Sequence, residues 1–356
     1  MQFNGKKLTV SVFGQSHAAA VGMVMDGLPA GVPVDREALQ AFLNRRAPGR
    51  AAYATPRREA DAPEFVSGLV EDHTCGAPVC AIIRNTDVRS GDYDRLRDVP
   101  RPSHADYPAR LRYGQAYDGR GGGPFSARLT APLCVAGGIA LQMLAARGVR
   151  VGAHLAAVAA VHDTAFDPVR VSVSDFDRVA ANGFPTLSAE AGAAMRDAIE
   201  QARQKQDSVG GVVECAALGL PAGVGGPLFQ GLESALSAAL FAIPAVRGVE
   251  FGAGFSAASM QGSQHNDAYI LSGGRVATAT NHAGGIVGGM TTGMPLVLRA
   301  AFKPTPSIGL PQRSVSLSRM EETELVITGR HDPCVAPRAV PVVEAVTALV
   351  LLDQLL

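Results

Sequence analysis

The sequence predicts a mixed α+β fold with largely antiparallel sheets, in one domain spanning residues 1–356. Three observations carry this expectation. Helical and strand patterns interleave, but their connections do not repeat the regular strand–helix–strand unit of a parallel sheet. Hydrophobic residues make up 47% of the 356, with 40 glycines and 23 prolines, so the chain can bury a large core broken by many turns. No Pro/Ser-rich linker or short repeat divides it.

The elements follow in order. Residues 8–13 alternate as a strand and run into the turn Gly14-Gln15-Ser16-His17. Asp35 is placed to cap a helix with Leu39, Phe42 and Leu43 on one face, stopped by Pro48-Gly49. Residues 65–70 and 79–84 read as a strand pair, and 85–101, with Asp87, Arg89, Asp92, Tyr93, Asp94 and Arg95, as a polar surface loop. The glycines of 119–123 open a small-residue helix over 126–147, closed by Gly148. Strands are expected at 149–161, 209–220, 246–251, 296–302 and 324–328, and helices at 189–206, 229–243 and 340–356.

Composition narrows the function. Thirty-two basic and 32 acidic residues cancel, aromatics are 5% and tryptophan is absent, so a nucleic-acid partner is not expected. Five scattered cysteines (75, 80, 134, 215, 334) fit reduced thiols in a cytoplasmic protein. Cys75 and Cys80 lack a second ligand pair, and no metal site is expected. No secretory signal is visible at residues 1–7, and the apolar stretches 129–146 and 340–356 read as buried helices, not membrane spans.

Three polar clusters stand out, each bracketed by proline or glycine: Arg101 to Asp106, Lys303-Pro304-Thr305-Pro306-Ser307, and Arg330-His331-Asp332-Pro333. Charged groups on stiff loops suit an enzyme holding a small, highly anionic molecule. The loop Asp118-Gly119-Arg120-Gly121-Gly122-Gly123, leading to Ser126-Ala127-Arg128, can offer backbone amides to an anion; it fits neither a Walker A loop nor a dinucleotide fingerprint, and a tight packing turn is the alternative. His17 and His104 are candidates to protonate a leaving group or balance an anion, or are ordinary hydrogen-bonded histidines; His265, His282 and His331 read as structural. Arg45, Arg46, Arg50, Arg57 and Arg58 read, on charge alone, as a solvated face offset by Glu59 and Asp61. The glycine-rich run 281–289 allows either close approach to a flat ligand or tight sheet packing. A hydrolase using His17, His104 and Asp106 around a metal and a non-catalytic binding module are the readings from other classes; no HExxH or comparable spacing supports the first.

Taken together, these segments resemble the chorismate synthase family, from Phe13 to the C-terminus. The family's Gly-Glu-Ser-His-Gly is present as Gly14-Gln15-Ser16-His17-Ala18, its Arg-Pro-Gly-His-Ala-Asp-Tyr as Arg101-Pro102-Ser103-His104-Ala105-Asp106-Tyr107, and its Gly-Gly-Gly-Arg-Ser-Ser-Ala-Arg-Glu-Thr as residues 121–130. Arg57-Arg58-Glu59, Asn85-Thr86-Asp87, the 281–289 run, 303–307 and 329–333 also match, in the family's order.

The resemblance implies a β-α-β sandwich of two antiparallel sheets flanked by helices, usually a homotetramer. It implies loss of the 3-phosphate and a carbon-6 hydrogen from 5-enolpyruvylshikimate 3-phosphate in an anti-1,4 sense, with reduced FMN and no net redox change. By the same resemblance His17 serves the departing phosphate, His104 lies by the reduced flavin's pyrimidine edge, and Asp332 belongs to a base relay near flavin N5. Ser126, Ala127, Ala245, Gly288, Lys303, Pro304, Thr305, Pro306, Ser307 and Arg330 are implied to bind FMN, and Ser16, Arg46, Arg101 and Arg128 the substrate. The chain departs from the family at Gln15, Ala18, Ser103, Pro124, Phe125, Leu129 and Pro244. Ala47 and Ala52 stand where many members have arginines, which weakens NADPH as the reductant and leaves reduction in place and a separate flavin reductase both open.

Overall fold

The computed structural model describes residues 1–49, 59–86, 95–327 and 332–356. Two five-stranded sheets form its outer layers. The first runs β1 (Gln2–Asn4), β2 (Thr9–Gly14), β3 (Ala20–Asp26), β7 (Val79–Arg84), β4 (Glu64–Ser67). The second runs β11 (Val246–Phe251), β16 (Leu296–Phe302), β10 (Gly211–Leu218), β8 (Arg150–Val158), β9 (Val161–His162). Every neighbouring pair in both sheets is antiparallel.

Strand periodicity decides which side faces the core. In β7, Val79, Ala81 and Ile83 are buried while Cys80 and Ile82 are only half-buried. In β10 and β16, Val213, Cys215, Ala217, Leu296, Leu298, Ala300 and Phe302 turn toward the same core as the first sheet. Ala216 and Val297 turn the other way, into a second cluster with Phe166, Val171 and Phe176.

Helices fill the space between the sheets, as a β-α-β sandwich requires. There α3 (Thr130–Ala145) and α8 (Ala336–Leu355) pack on each other, α3 against β3 and β7, α8 against β8 and β10. Beside them lie α1 (Arg36–Arg46) and α6 (Leu232–Phe241). A helix covered on all sides must be apolar on all sides. That explains why residues 127–145 are long and apolar enough to cross a membrane yet are largely buried in the core. The two central helices touch closely at Gly137, where a Cβ would stand 2.4 Å from the Ala345 Cα. On the opposite face of the second sheet sits α4 (Val173–Ala181), and α5 (Ala189–Gln204) runs along its β8–β9 edge.

Asp35 caps α1 as expected, its carboxylate accepting from Ala38 N at 2.9 Å. Near its C-terminus α8 holds the chain start: Asp353, 3% exposed, accepts from the backbone N–H groups of Lys6, Lys7 and Leu8 at 2.7–2.9 Å. Shorter elements are α2 (Asp106–Tyr113), α7 (Gly262–His265) and four strand pairs: β5 (Leu69–Val70) with β6 (His73–Thr74), β12 (Tyr269–Ser272) with β13 (Arg275–Thr278), β14 (Ile286–Val287) with β15 (Met290–Thr291), and β17 (Gln312–Ser316) with β18 (Glu321–Leu325).

Three local expectations change. The strand read at 65–70 divides at Gly68 into β4 and β5. The strand read at 324–328 begins earlier, at Glu321, because β18 pairs with β17 over its whole length; Thr328 is outside the described residues. The polar loop read at 85–101 is anchored at its end: Leu96 and Val99 pack with Leu325 and Ile327, and Asp98 accepts from Ser318 N and Ser316 Oγ at 2.8 and 2.7 Å. Asp87, Arg89, Asp92, Tyr93 and Asp94 are outside the described residues.

Candidate active site

Seven separate stretches of chain converge on one cavity of about 600 Å³. Ser16 comes from the turn after β2, and Arg46 from the end of α1. Arg101, Ser103 and His104 precede α2, and the glycine loop with Ser126, Ala127 and Arg128 precedes α3. Ala245 lies between α6 and β11, Lys303, Thr305, Pro306 and Ser307 follow β16, and Asp332 precedes α8. Arg128, just before α3, and Val335, just before α8, line this space, so the two helix starts lie beside it and their dipoles favour an anion there.

The glycine loop ties the two histidines together. Gly121, Gly122 and Gly123 all have left-handed φ, of 59°, 86° and 53°. A Cβ on Gly121 would stand 2.4 Å from Ser16 Oγ and 2.5 Å from His17 Nδ1; one on Gly122 would stand 3.2 Å from His104 Nε2. Ser16 N donates to Gly123 O at 3.3 Å. Glycine at both positions lets His17 and His104 lean on adjacent residues of one loop. His17 itself is not among the side chains that line the cavity. It lies near Asp118, whose carboxyl is held below its usual range first by hydrogen bonds from Arg120 at 2.7 and 2.8 Å, and more weakly by His17.

His104 belongs to a buried network. Its Nδ1 is 2.6 Å from Asp106 Oδ1. Asp106 also takes both ends of the Arg101 guanidinium, from Nε at 2.7 Å and Nη2 at 2.8 Å, and Arg101 Nη1 donates to Ser307 Oγ at 3.2 Å. Burial would raise the Asp106 pKa, but hydrogen bonds from Arg101 and His104 outweigh it and hold the carboxyl far below its usual range. The carboxylate therefore fixes the ring of His104 and commits the opposite nitrogen toward the glycine loop.

Across the cavity a second network holds two more arginines. Asp61, with a fully buried side chain, accepts from Arg46 on one oxygen and from Arg128 on the other. Arg46 also donates to Thr130 Oγ1 at 3.0 Å and Ala127 O at 3.1 Å; Arg128 donates to Asn85 Oδ1 at 2.8 Å and meets Glu59 Oε2 at 3.2 Å. Burial pushes the Asp61 carboxyl up, and the two guanidinium groups more than reverse it. The solvated face expected for this cluster is absent at Arg46, which is 2% exposed. Asp61 is its buried counter-ion, and Glu59, also buried, meets Arg128; neither is a surface charge. Arg45 turns away from the cavity to pair with Glu344 of α8 at 2.6 and 2.8 Å. Arg50, Arg57, Arg58 and Ala52 lie outside the described residues.

Two residues of the cavity lining carry left-handed φ without being glycine. Ser103 has φ 58° and Ala245 has φ 75°, and both line the cavity. The Ser103 carbonyl accepts from Lys303 Nζ, and Ala245 O accepts from Lys303 N at 3.0 Å. The carbonyls of both residues thus hold Lys303 in place.

Among the remaining expected site residues, Pro304 packs toward Gly210 and does not line the cavity. Gly288 sits in the exposed turn between β14 and β15, apart from it. Arg330 and His331 are outside the described residues. Sequence reasoning missed Arg338, a cavity residue in the first turn of α8 that donates to Asp332 Oδ2 and, through Nε, to Arg46 O at 3.0 Å. A cation in the first turn of a helix opposes the dipole, and that was its only sequence signal. Among the described residues no three His, Cys, Asp or Glu side chains gather as a metal-binding group.

Comparison with known proteins places this arrangement. The family model described as chorismate synthase matches residues 8–356. A chorismate synthase of Lancefieldella parvula is 47% identical over 362 residues, covering 99% of this chain and 95% of its own. One from Thermococcus kodakarensis is 47% identical over 352 residues, covering 99% and 97%. A crystal structure of chorismate synthase superposes with a TM-score of 0.78 at 26% identity, covering 99% of this chain and 92% of its own. The chain belongs to the chorismate synthase family.

Proposed function

We propose that this cavity is where the chain carries out its family's reaction, the anti-1,4-elimination of phosphate from 5-enolpyruvylshikimate 3-phosphate to give chorismate. The observation that carries the proposal is the convergence of Arg46, Arg101, Arg128, Arg338 and Lys303, from distant parts of the sequence, around His104 and Asp332. A substrate with one phosphate and two carboxylates needs several cationic donors in fixed geometry, and buried guanidinium groups supply them.

In the reaction the bond from carbon 3 to the phosphate oxygen breaks and its electron pair leaves on phosphate. The electrons of the carbon 6–hydrogen bond complete the new diene as a proton departs. His17, leaning on the glycine loop beside Ser16, is the group proposed to protonate or stabilise the departing phosphate. Asp332, held by Arg338, is the carboxylate proposed to accept the proton in the last step. Arg46 and Arg128 are proposed to hold the substrate's anionic groups.

The cavity also fits a flavin. Thr305 Oγ1 is buried with no hydrogen-bond partner, the kind of atom a polar ligand satisfies. Lys303 and the network of Ser307, Arg101 and His104 add donors suited to an anionic ring or phosphate. Ser126, Ala127, Ala245, Thr305 and Pro306 would line the FMN site. Reduced FMN, when bound, supplies electron density to the substrate and recovers it, so no net oxidation results. Ala47, buried at the end of α1, offers no charge to NADPH, so the flavin is proposed to arrive reduced by a separate reductase.

Exposed Leu228, Phe229, Phe255, Tyr269 and Leu271 support self-association, proposed as a homotetramer. Cytoplasmic residence is proposed from the biosynthetic role and from five free thiols. The function is tested by mixing the FMN-loaded chain, reduced anaerobically, with 5-enolpyruvylshikimate 3-phosphate. Phosphate and chorismate should form in equal amounts; a folded, loaded protein that forms neither rejects the proposal.

A further inference from the structure

The Arg46–Arg128 pair already holds an anion. Asp61 lies behind the cavity wall, its side chain fully buried, with one carboxylate oxygen on each guanidinium. Both arginines line the cavity; Asp61 does not. Glu59 does line it and contacts Arg128 at 3.2 Å. Among the described residues these two guanidinium groups thus meet two carboxylates before any ligand arrives. An arriving oxyanion must share guanidinium groups whose field is largely cancelled.

We propose that Asp61 is a resident counter-anion that weakens the grip of Arg46 and Arg128 on phosphate, so that the phosphate released by the reaction can leave. The inference rests on reading these two arginines as the phosphate-binding pair. Asp61 does not line the cavity and acts only through the arginines, as a positioning residue. It aims both guanidinium groups and also sets the charge they present. The geometry serves both tasks: Thr130 Oγ1, Ala127 O and Asn85 Oδ1 fix the arginines from other sides, so removing the charge of Asp61 need not release their planes.

The two roles differ in sign. A residue that only supports the arginines would, when altered, weaken anion binding. A competing anion would, when neutralised, strengthen it. The test is calorimetric titration of inorganic phosphate into the full-length chain without flavin, for wild type, Asp61→Asn, Arg46→Gln and Arg128→Gln. Asp61→Asn keeps the shape and an acceptor oxygen but loses the charge, and should bind phosphate at least about fivefold more tightly. The same variant should show stronger inhibition of turnover by added phosphate. Equal or weaker phosphate binding by folded Asp61→Asn overturns the proposal. If that variant does not fold, Glu59→Gln substitutes for it, with tighter binding expected and equal or weaker binding overturning the idea. If Arg46→Gln and Arg128→Gln both bind phosphate as wild type does, the arginines are not the phosphate pair, and the underlying reading fails instead.

Discussion

Arg46 and Arg128, 82 positions apart in sequence, are joined by one buried carboxylate: each donates to a different oxygen of Asp61. Neither arginine sits on a surface, and each is held by further partners from α3 or β7 and its neighbours. The pair is a preformed clamp whose geometry depends on planar, many-donor groups.

Lysine cannot reproduce that geometry. Arg128→Lys keeps the charge but loses the simultaneous contacts to Asp61, Glu59 and Asn85. Its kcat/KM should fall by roughly 100-fold, about 2.7 kcal/mol of transition-state stabilisation. Steady-state kinetics under anaerobic conditions measure this, and a loss under threefold would remove Arg128 from the clamp.

His104 depends on Asp106 for its orientation. Asp106→Asn removes the anion that binds both His104 and Arg101. The variant should alter the absorbance of bound reduced FMN and slow turnover, whereas a spectrum identical to wild type would separate this network from the flavin. The depressed Asp106 pKa also fixes a sign. Its contribution to stability is complete above the unfolded carboxyl value of about 4 and is lost only as the pH falls through the lower folded value. The melting-temperature gap between wild type and Asp106→Asn should therefore hold at neutral pH and narrow in strong acid.

A third buried network lies away from the cavity, on the outer face of the second sheet. His154, fully buried on β8, meets Asp163 at 3.0 Å and Glu214 of β10 at 2.8 Å. Burial lowers its pKa, but hydrogen bonds to the two carboxylates raise it further, so the folded value lies above the ordinary one. Stability from His154 is fully present below about pH 6.5 and fades as the pH rises through the folded value. Thermal melts of wild type and His154→Gln should differ most in mild acid and converge toward alkaline pH; a constant gap would contradict a buried cation.

Ser103 occupies a left-handed position, φ 58°, where the resembled motif has glycine. Ser103→Gly relieves the Cβ strain at some cost in chain entropy, and should stabilise the fold by up to about 1 kcal/mol. Denaturant titration reads the change. Because the carbonyl of Ser103 binds Lys303, flavin affinity is the companion measurement, and a destabilised variant would show that the serine side chain contributes more than its backbone costs.

Much of this was legible in the sequence where the signal is local. Asp35 announced α1, the repeating apolar residues of 129–146 announced a buried helix, and β11 and β16 fell at their expected bounds. The motif residues Ser16, His104, Arg128 and Lys303 were nameable because they stand in recognisable runs. Asp61 and Arg338 were not. Asp61 lies in a segment without regular structure, so no periodicity marks it as buried, and beside arginines it reads as surface charge. Arg338 acts through Asp332 and a backbone carbonyl of α1, a meeting that only the packing of α8 creates. Apolar patterning alone gave only α+β, because an all-apolar helix does not say what covers it; the layered order came from the resemblance.

If one cavity gathers the arginines, His104 and Asp332 around substrate and flavin, a crystal structure of the chain with 5-enolpyruvylshikimate 3-phosphate and oxidised FMN will show it. The substrate's phosphate or carboxylates should lie within hydrogen-bond reach of Arg46 and Arg128, and the flavin against His104 and the 303–307 segment. Ligands bound elsewhere, with these side chains facing only solvent, would contradict that arrangement.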